Sequence, residues 1–299
     1  MDVNCEGCAG CCIDWRPIAD VPPSAEHGSD RPPIDDTYNL APLRSGEARS
    51  LVDAGYGDAM TPRLFEAGPD DDSVRVDGVA LAAIGNRPVF YLGLRKPTKA
   101  VAPFDGERRW LPACCFLDPE TLQCRIHDSE LYPNTCRVYP GYNLQLERET
   151  ECERVETSIG GPKRLLDSTP PADADPTFSA AIGTTVFAYP DPDELSGIVS
   201  RLAAAELTDD DRTRFVGVAC GSSPGTIEIN EAAADRYREL AAAADSWVGR
   251  SIQTWDDRAD TSGSAATIEE PGAIETADGA PETPGWDAVR APDDGSGSP

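Results

Sequence analysis

Four cysteines fall within eight residues near the start of this chain, Cys5-Glu-Gly-Cys8-Ala-Gly-Cys11-Cys12, and no other segment constrains the fold as strongly. Two-residue spacers let neighbouring thiolates point at one ion, and Gly7 and Gly10 permit the tight turns such a loop needs. Disulfides suit this spacing poorly. Cysteines two or three residues apart rarely reach bridging geometry, and adjacent Cys11 and Cys12 could pair only in a contorted ring. The run therefore reads as a loop wrapped around a metal.

A second set of thiols lies downstream: Cys114-Cys115-Phe116-Leu117, then Cys124-Arg125-Ile126-His127, then Tyr132-Pro133 ahead of Cys136-Arg137-Val138-Tyr139-Pro140. All-thiolate sites suit zinc or iron–sulfur clusters, whereas oxygen-seeking ions are not expected. A four-cysteine zinc site is closed and stabilises its fold directly. An iron–sulfur cluster uses the same thiolates, although Ile13 stands where the bacterial ferredoxin run carries its Cys-Pro. Spacing leaves both open, and eight cysteines would make two four-coordinate sites.

Taken together, these ordered cysteine sets resemble the YkgJ-type cysteine-cluster family, described as a zinc- or iron-chelating domain. The resemblance covers roughly residues 1 to 160, with 17 to 105 matching loosely. It implies Cys5, Cys8, Cys11, Cys12, Cys114, Cys124 and Cys136 as ligands, with Cys152 of Glu151-Cys152-Glu153 as an eighth. Two positions depart from the family pattern: Tyr132 replaces the usual arginine before proline, and His127 replaces an aromatic ring. His127 has zinc-ligand spacing from Cys124, but is expected to fill a packing position. Cys115 beside Cys114 is open as ligand or bystander, with the family pattern favouring Cys114; Cys220 is read as a buried apolar residue, and His27 as uninvolved. Arg125 and Arg137, next to ligand positions, are expected to support the thiolates by charge or hydrogen bonds.

The net charge is −27, with 53 acidic residues against three lysines and 23 arginines. Such a balance looks like that of a halophile's cytoplasmic protein, where molar salt screens the self-repulsion. No basic cluster is long enough to form a phosphate-binding face, so nucleic acid is not an expected partner. The start of the chain has no apolar run and no stretch approaches 18 apolar residues, so neither a signal peptide nor a membrane span is expected. A reducing cytoplasm favours ligands over bridges for the ten cysteines.

The expected fold class is α+β. Residues 1–162 would form a small irregular cysteine-rich metal-binding domain with short helices and a hairpin, 163–253 a helical segment, and 254–299 a disordered acidic tail. Proline-rich residues 13–42 read as an irregular wrap, and Ser45–Ala54 as a short helix. Val79–Ile84 and Val89–Leu92 flank a turn and predict the hairpin. Asp191-Pro192, Thr208 with Asp211, and Asn230 each signal a helix start, the last running through Trp247 to a stop near Gly249. Their apolar stripes are assigned to core packing. Pro170-Pro171 and the acidic stretch to Pro176 read as a connector. From Asp256 onward the apolar content is too low to offset the ~1–2 kcal/mol per residue cost of ordering a backbone.

Functionally, these residues predict a thiolate metal-binding protein with a structural or electron-carrying zinc or iron–sulfur centre. Two alternatives are a cluster-dependent protein-modifying enzyme, as the related signature of lysine methylase-like proteins would imply, and a metal chaperone. No Gly-rich nucleotide loop, no radical-initiating C-x3-C-x2-C and no Ser/His/Asp set supports an enzyme.

Overall fold

The computed structural model describes residues 1–20, 31–172 and 181–286. His27, part of the proline-rich wrap and most of the acidic connector lie outside the described residues, as do the last residues of the expected tail.

Strand β1 (Asp2–Val3) leads into the first cysteine loop, and helix α1 (Ser45–Asp53) forms where the sequence predicts it. Its Ala48, Leu51 and Val52 are buried on one side, as the i, i+3, i+4 spacing requires. An antiparallel sheet follows, built from β2 (Met60–Leu64), β3 (Ser73–Val76), β4 (Val79–Ile84) and β5 (Arg87–Leu94), in the order β2-β5-β4-β3. The predicted hairpin is β4–β5, closed by a two-residue Gly85-Asn86 turn whose twist suits antiparallel strands. Met60 lies opposite Leu94 and Leu64 opposite Phe90, so alternate side chains face the core.

A smaller ribbon of β6 (Thr98–Val101) and β7 (Arg109–Pro112) carries the chain into the second cysteine region. There the helices are short: α2 (Asn134–Val138), α3 (Gly141–Gln145) and α4 (Glu151–Ser158). The chain then returns through β8 (Leu165–Asp167), which pairs antiparallel with β1 and ties residues around 165 to the first loop. Strand β9 (Phe187–Ala188) adds to β5.

The remaining helices are α5 (Ile198–Ala203), α6 (Asp209–Gly221), α7 (Glu231–Ala242), α8 (Trp247–Thr261) and α9 (Pro271–Ala277). Leu195, Ile198, Val199, Leu202, Phe215 and Val216 pack with the sheet in the largest core cluster, as the stripes predict. The Thr208–Asp211 capping box forms at the start of α6.

Two expectations are corrected. The helix capped by Asn230 does not run to Gly249; it ends at Ala242, and Ser246 caps a new helix through Gly249 N. Asp58 fixes that junction by accepting from Ser246 N at 3.1 Å and Ser246 Oγ at 2.6 Å. Gly249 is there for close approach, since a Cβ would stand 2.2 Å from Asp58 Oδ2.

The second correction concerns the tail. Residues 254–286 are ordered as the second half of α8, a short turn and α9. Trp247, Val248, Ser251, Ile252 and Trp255 form one buried stripe that runs across the expected boundary. Trp255 is fully buried and meets Trp110 edge-on at 6.2 Å. With Ala100, Ala265, Ile268 and Ile274 they make a separate small core. A mixed α and β architecture with antiparallel sheets thus stands. No helix among the described residues is long and apolar enough to cross a membrane.

Candidate functional site

Backbone hydrogen bonds shape the first cysteine loop. Cys8 N donates to Cys5 O at 3.1 Å, and Cys12 N to Ala9 O at 2.8 Å, giving two successive turns. Gly10 lies where any side chain would collide: a Cβ would stand 2.9 Å from Val155 Cγ2 on α4. That contact seats the loop on α4, one turn beyond Cys152. The next link joins the two cysteine regions, because Ile13 bridges Ala113 and Cys114 N donates to Cys12 O at 2.8 Å. Leu117 bridges Cys124, and Cys136 enters from the first turn of α2.

These links bring thiols from distant segments to one cavity of about 620 Å³. Cys5, Cys8, Cys11, Cys12, Cys124, Cys136 and Cys152 all line it. Cys114 does not line it but is an electrostatic neighbour of Cys12, Cys124 and Cys136. All ten cysteines are free thiols. Cys11 Sγ and Cys12 Sγ are 3.7 Å apart and share a hydrogen bond.

Burial controls the ionisation of most of these thiols. It pushes Cys5 up to about 12, assisted by Cys11 and Cys8, with Arg164 opposing. Cys8 is pushed up to about 11 and Cys124 to about 12 for the same first reason. Cys136 and Cys152 are also raised, by burial and then by neighbouring thiols. Cys114 moves the other way, to about 6: the adjacent Cys115 side chain favours its charge first, Phe116 N, Lys99 and Lys96 assist, and burial opposes. Cys11 is lowered by the hydrogen bond from Cys12 and then by Lys96. Burial thus favours the protonated form of most of these thiols, while Cys11 and Cys114 are shifted toward the thiolate.

The remaining residues sort by what they touch. Cys115 points into the core, its Sγ 3.7 Å from Ala59 O, and Cys220 is fully buried among apolar neighbours. His127 is on the cavity wall, about a third exposed, packed against Tyr132 at 4.9 Å and 3.0 Å from Asp128 Oδ2. Arg137 also lines the cavity, stacked on the Tyr132 ring at 5.4 Å. Arg125 does not serve the thiols: its guanidinium is buried against Glu275 at 2.9 Å and Asp118 at 3.0 Å. The expectation for Arg125 is corrected on that ground, because two carboxylates already satisfy its charge.

Several wall residues carry no sequence motif. Arg164 and Trp286 line the cavity from far along the chain. Glu151 is buried beneath it, its carboxylate accepting from Trp15 Nε1 at 3.0 Å, Tyr38 OH at 2.8 Å and Arg154 at 3.2 Å. Trp286 Nε1 donates to Thr121 O at 2.9 Å, which closes the rim beside Cys124. Only tertiary contacts could reveal these, since each partner is more than a hundred residues away in sequence except Arg154.

Residues 1–287 match a protein family described as a family of unknown function, DUF7531. The chain belongs to that family. Membership in the YkgJ-type family, expected from the cysteine spacing, is thereby overturned: the family that spans the chain is DUF7531. Short C-x2-C runs are local solutions to turning a backbone around thiols, and unrelated folds can share them. No curated protein and no solved structure matches the chain. Among the described residues of this DUF7531 chain, no group of three or more His, Cys, Asp and Glu side chains is arranged to hold a metal ion. The thiols share a wall without converging on a point.

Proposed function

We propose that this chain is a thiolate metal-binding protein, taking zinc or an iron–sulfur cluster in the cysteine-lined cavity, with a structural or electron-carrying role. The observation that carries this reading is the gathering of seven free thiols, from four separate stretches of chain, on one cavity wall. Buried thiols are costly to ionise alone, and a soft cation that replaces their protons removes that cost. Cys5, Cys8, Cys11, Cys12, Cys114, Cys124, Cys136 and Cys152 are the donors offered. Rotation of these side chains about Cα–Cβ is the movement that binding would require. When bound, zinc would crosslink the first loop, α2 and α4, and a cluster would add one-electron chemistry.

The chaperone alternative rests on surplus thiols such as Cys115 and on paired Cys11 and Cys12; Cys115 faces the core, whereas Cys11 and Cys12 line the cavity. The enzyme alternative rests on the lysine methylase-like signature alone. The test is metal and acid-labile sulfide content of protein purified without oxygen in high salt. Iron with matching sulfide and a brown absorbance would give a cluster; stoichiometric zinc in colourless protein would give a structural ion. Folded protein that takes up neither, even after reconstitution, would sink the proposal.

A further inference from the structure

A second cavity, of about 380 Å³, shares no lining residue with the thiol cavity. It lies where the chain leaving β5 meets the start of α6 and the first half of α8, and Arg95 and Arg212 stand on its wall. Both side chains are largely withdrawn from solvent, 15% and 18% exposed. They approach the same atom: Asp209 Oδ1 is 3.8 Å from Arg95 Nη1 and 3.2 Å from Arg212 Nη1. Asp209 itself is 77% exposed, so one solvated carboxylate answers two sheltered guanidiniums. The other acids on the wall are engaged elsewhere or stand further off. Asp245 accepts from Arg250 Nη1 at 2.7 Å, and Asp58 accepts from Ser246 Oγ at 2.6 Å. Asp256 forms no ion pair with either arginine among the described residues.

The two guanidiniums use few of their donors. Arg95 gives one hydrogen bond to the protein, from Nη1 to Asp58 O at 3.1 Å. Arg212 donates only from Nη1, to Leu207 O at 2.7 Å and to Asp209. Its Nε is buried without a partner. Arg63 and Arg201, by contrast, each hold a carboxylate through two nitrogens. A buried donor left unsatisfied is unfavourable, and so is a second cation beside it. Burial, then the Arg95 charge, accordingly pushes Arg212 down to about 10, with Asp209 and Asp211 opposing. An anion with several acceptor oxygens would relieve both.

We propose that this cavity binds the phosphoryl group of a small molecule, inorganic phosphate or a phosphate monoester, between Arg95 and Arg212, and that Asp209 occupies that place until the ligand displaces it. Planar guanidiniums match phosphate oxygens in paired hydrogen bonds, which a lysine could not offer. Charge selects the class of ligand. A phosphoryl group carries close to two negative charges above its second pKa of ~6 and answers both arginines, whereas one carboxylate leaves a positive charge over. Asp209 Oδ1 marks where one ligand oxygen sits, and as the exposed first residue of α6 it can swing into solvent. The cavity falls within the size range of small-molecule sites. Gln253 and Asp256, on the same wall, would meet the hydroxyls of an organic part. None of this depends on the thiolate-centre reading.

The experiment is calorimetric titration of the full chain with inorganic phosphate and, separately, with glycerol 3-phosphate. Salt at ~1 M screens long-range charge, and a pH of about 8 keeps both probes dianionic. Wild type is compared with Arg95→Gln, Arg212→Gln, Asp209→Asn and, as a control outside the cavity, Arg236→Gln. Saturable binding is expected in wild type and unchanged in Arg236→Gln. Either arginine substitution in the cavity should weaken it by about 10-fold or more. Asp209→Asn should tighten it, because the competing anion is gone; a carboxylate with a purely structural role would give no such gain. Tighter binding of glycerol 3-phosphate would assign the rest of the cavity to an organic part, and equal binding would make free phosphate the ligand. If an arginine variant fails to fold, Asp209→Asn decides. Lack of saturable binding to folded wild type would overturn the proposal. So would affinities unmoved by both arginine substitutions, or an Asp209→Asn variant that binds no more tightly than wild type.

Discussion

Asp211 shows how much one side chain can do at the start of a helix. Its carboxylate accepts from Arg201 Nε at 2.7 Å and Nη2 at 2.6 Å, and from Thr208 N at 3.0 Å. The Arg201 hydrogen bonds first, then the Thr208 contacts, hold its pKa down to about 2, against burial. A carboxylate lowered below its unfolded value of ~3.9 stabilises the fold fully above that pH, and loses its contribution as pH falls toward 2. Asp211→Asn should therefore cost about 1 kcal/mol near neutrality, with the gap to wild type closing between about pH 4 and pH 2. Chemical denaturation at a series of pH values checks this; a gap independent of pH would refute it. This capping box was legible in sequence because all its parts lie within four residues. The first cysteine run was legible for the same reason. Arg164 was not, since nothing local distinguishes an arginine that lines the cavity from one that meets water.

Helix α9 illustrates the limit of composition at the level of an element. Residues 254–286 are poor in apolar side chains, and averaged over the segment they predict disorder. The average hides one stripe on α8 and one carboxylate. Glu275 is fully buried, 2.6 Å from Lys99 Nζ and 2.9 Å from Arg125 Nε, and it also accepts from Trp255 Nε1 at 3.2 Å. Lys99 in turn donates to Cys115 O and Leu117 O, so the helix is pinned directly onto the second cysteine segment. Buried pairs of this kind add little net stability when complete but are costly to break. Glu275→Gln should thus destabilise the fold by about 3–5 kcal/mol, because two cations stay buried with half their partners gone. Thermal unfolding followed by tryptophan fluorescence measures it, with Trp255 as the reporting ring. An unchanged midpoint would mean that α9 is not held this way. Hairpin β4–β5, by contrast, was legible because strand alternation and turn residues were all contiguous.

For the whole molecule the dominating quantity is the net charge of −27. Repulsion of this size favours expansion, and at ~1 M salt the screening length shrinks to roughly 3 Å. The melting temperature should therefore climb as sodium chloride is raised from about 0.1 M to about 2 M, the range over which that length contracts several-fold. Scanning calorimetry would reveal it, and a flat profile would argue that the acidic surface is already neutralised by its own arginines. Charge and cysteine content were plain in the sequence; which charges meet which thiols depended on the way the chain returns on itself. That return sets a timetable. The cavity is walled at one side by Cys5 to Cys12 and at the other by Trp286. During synthesis the early thiols leave the ribosome long before the tryptophan that finishes their enclosure, and meanwhile they meet oxidants and stray ions unprotected. Closure of the cavity is thus a late step in the making of the chain, and the first loop is the part most in need of guarding until then.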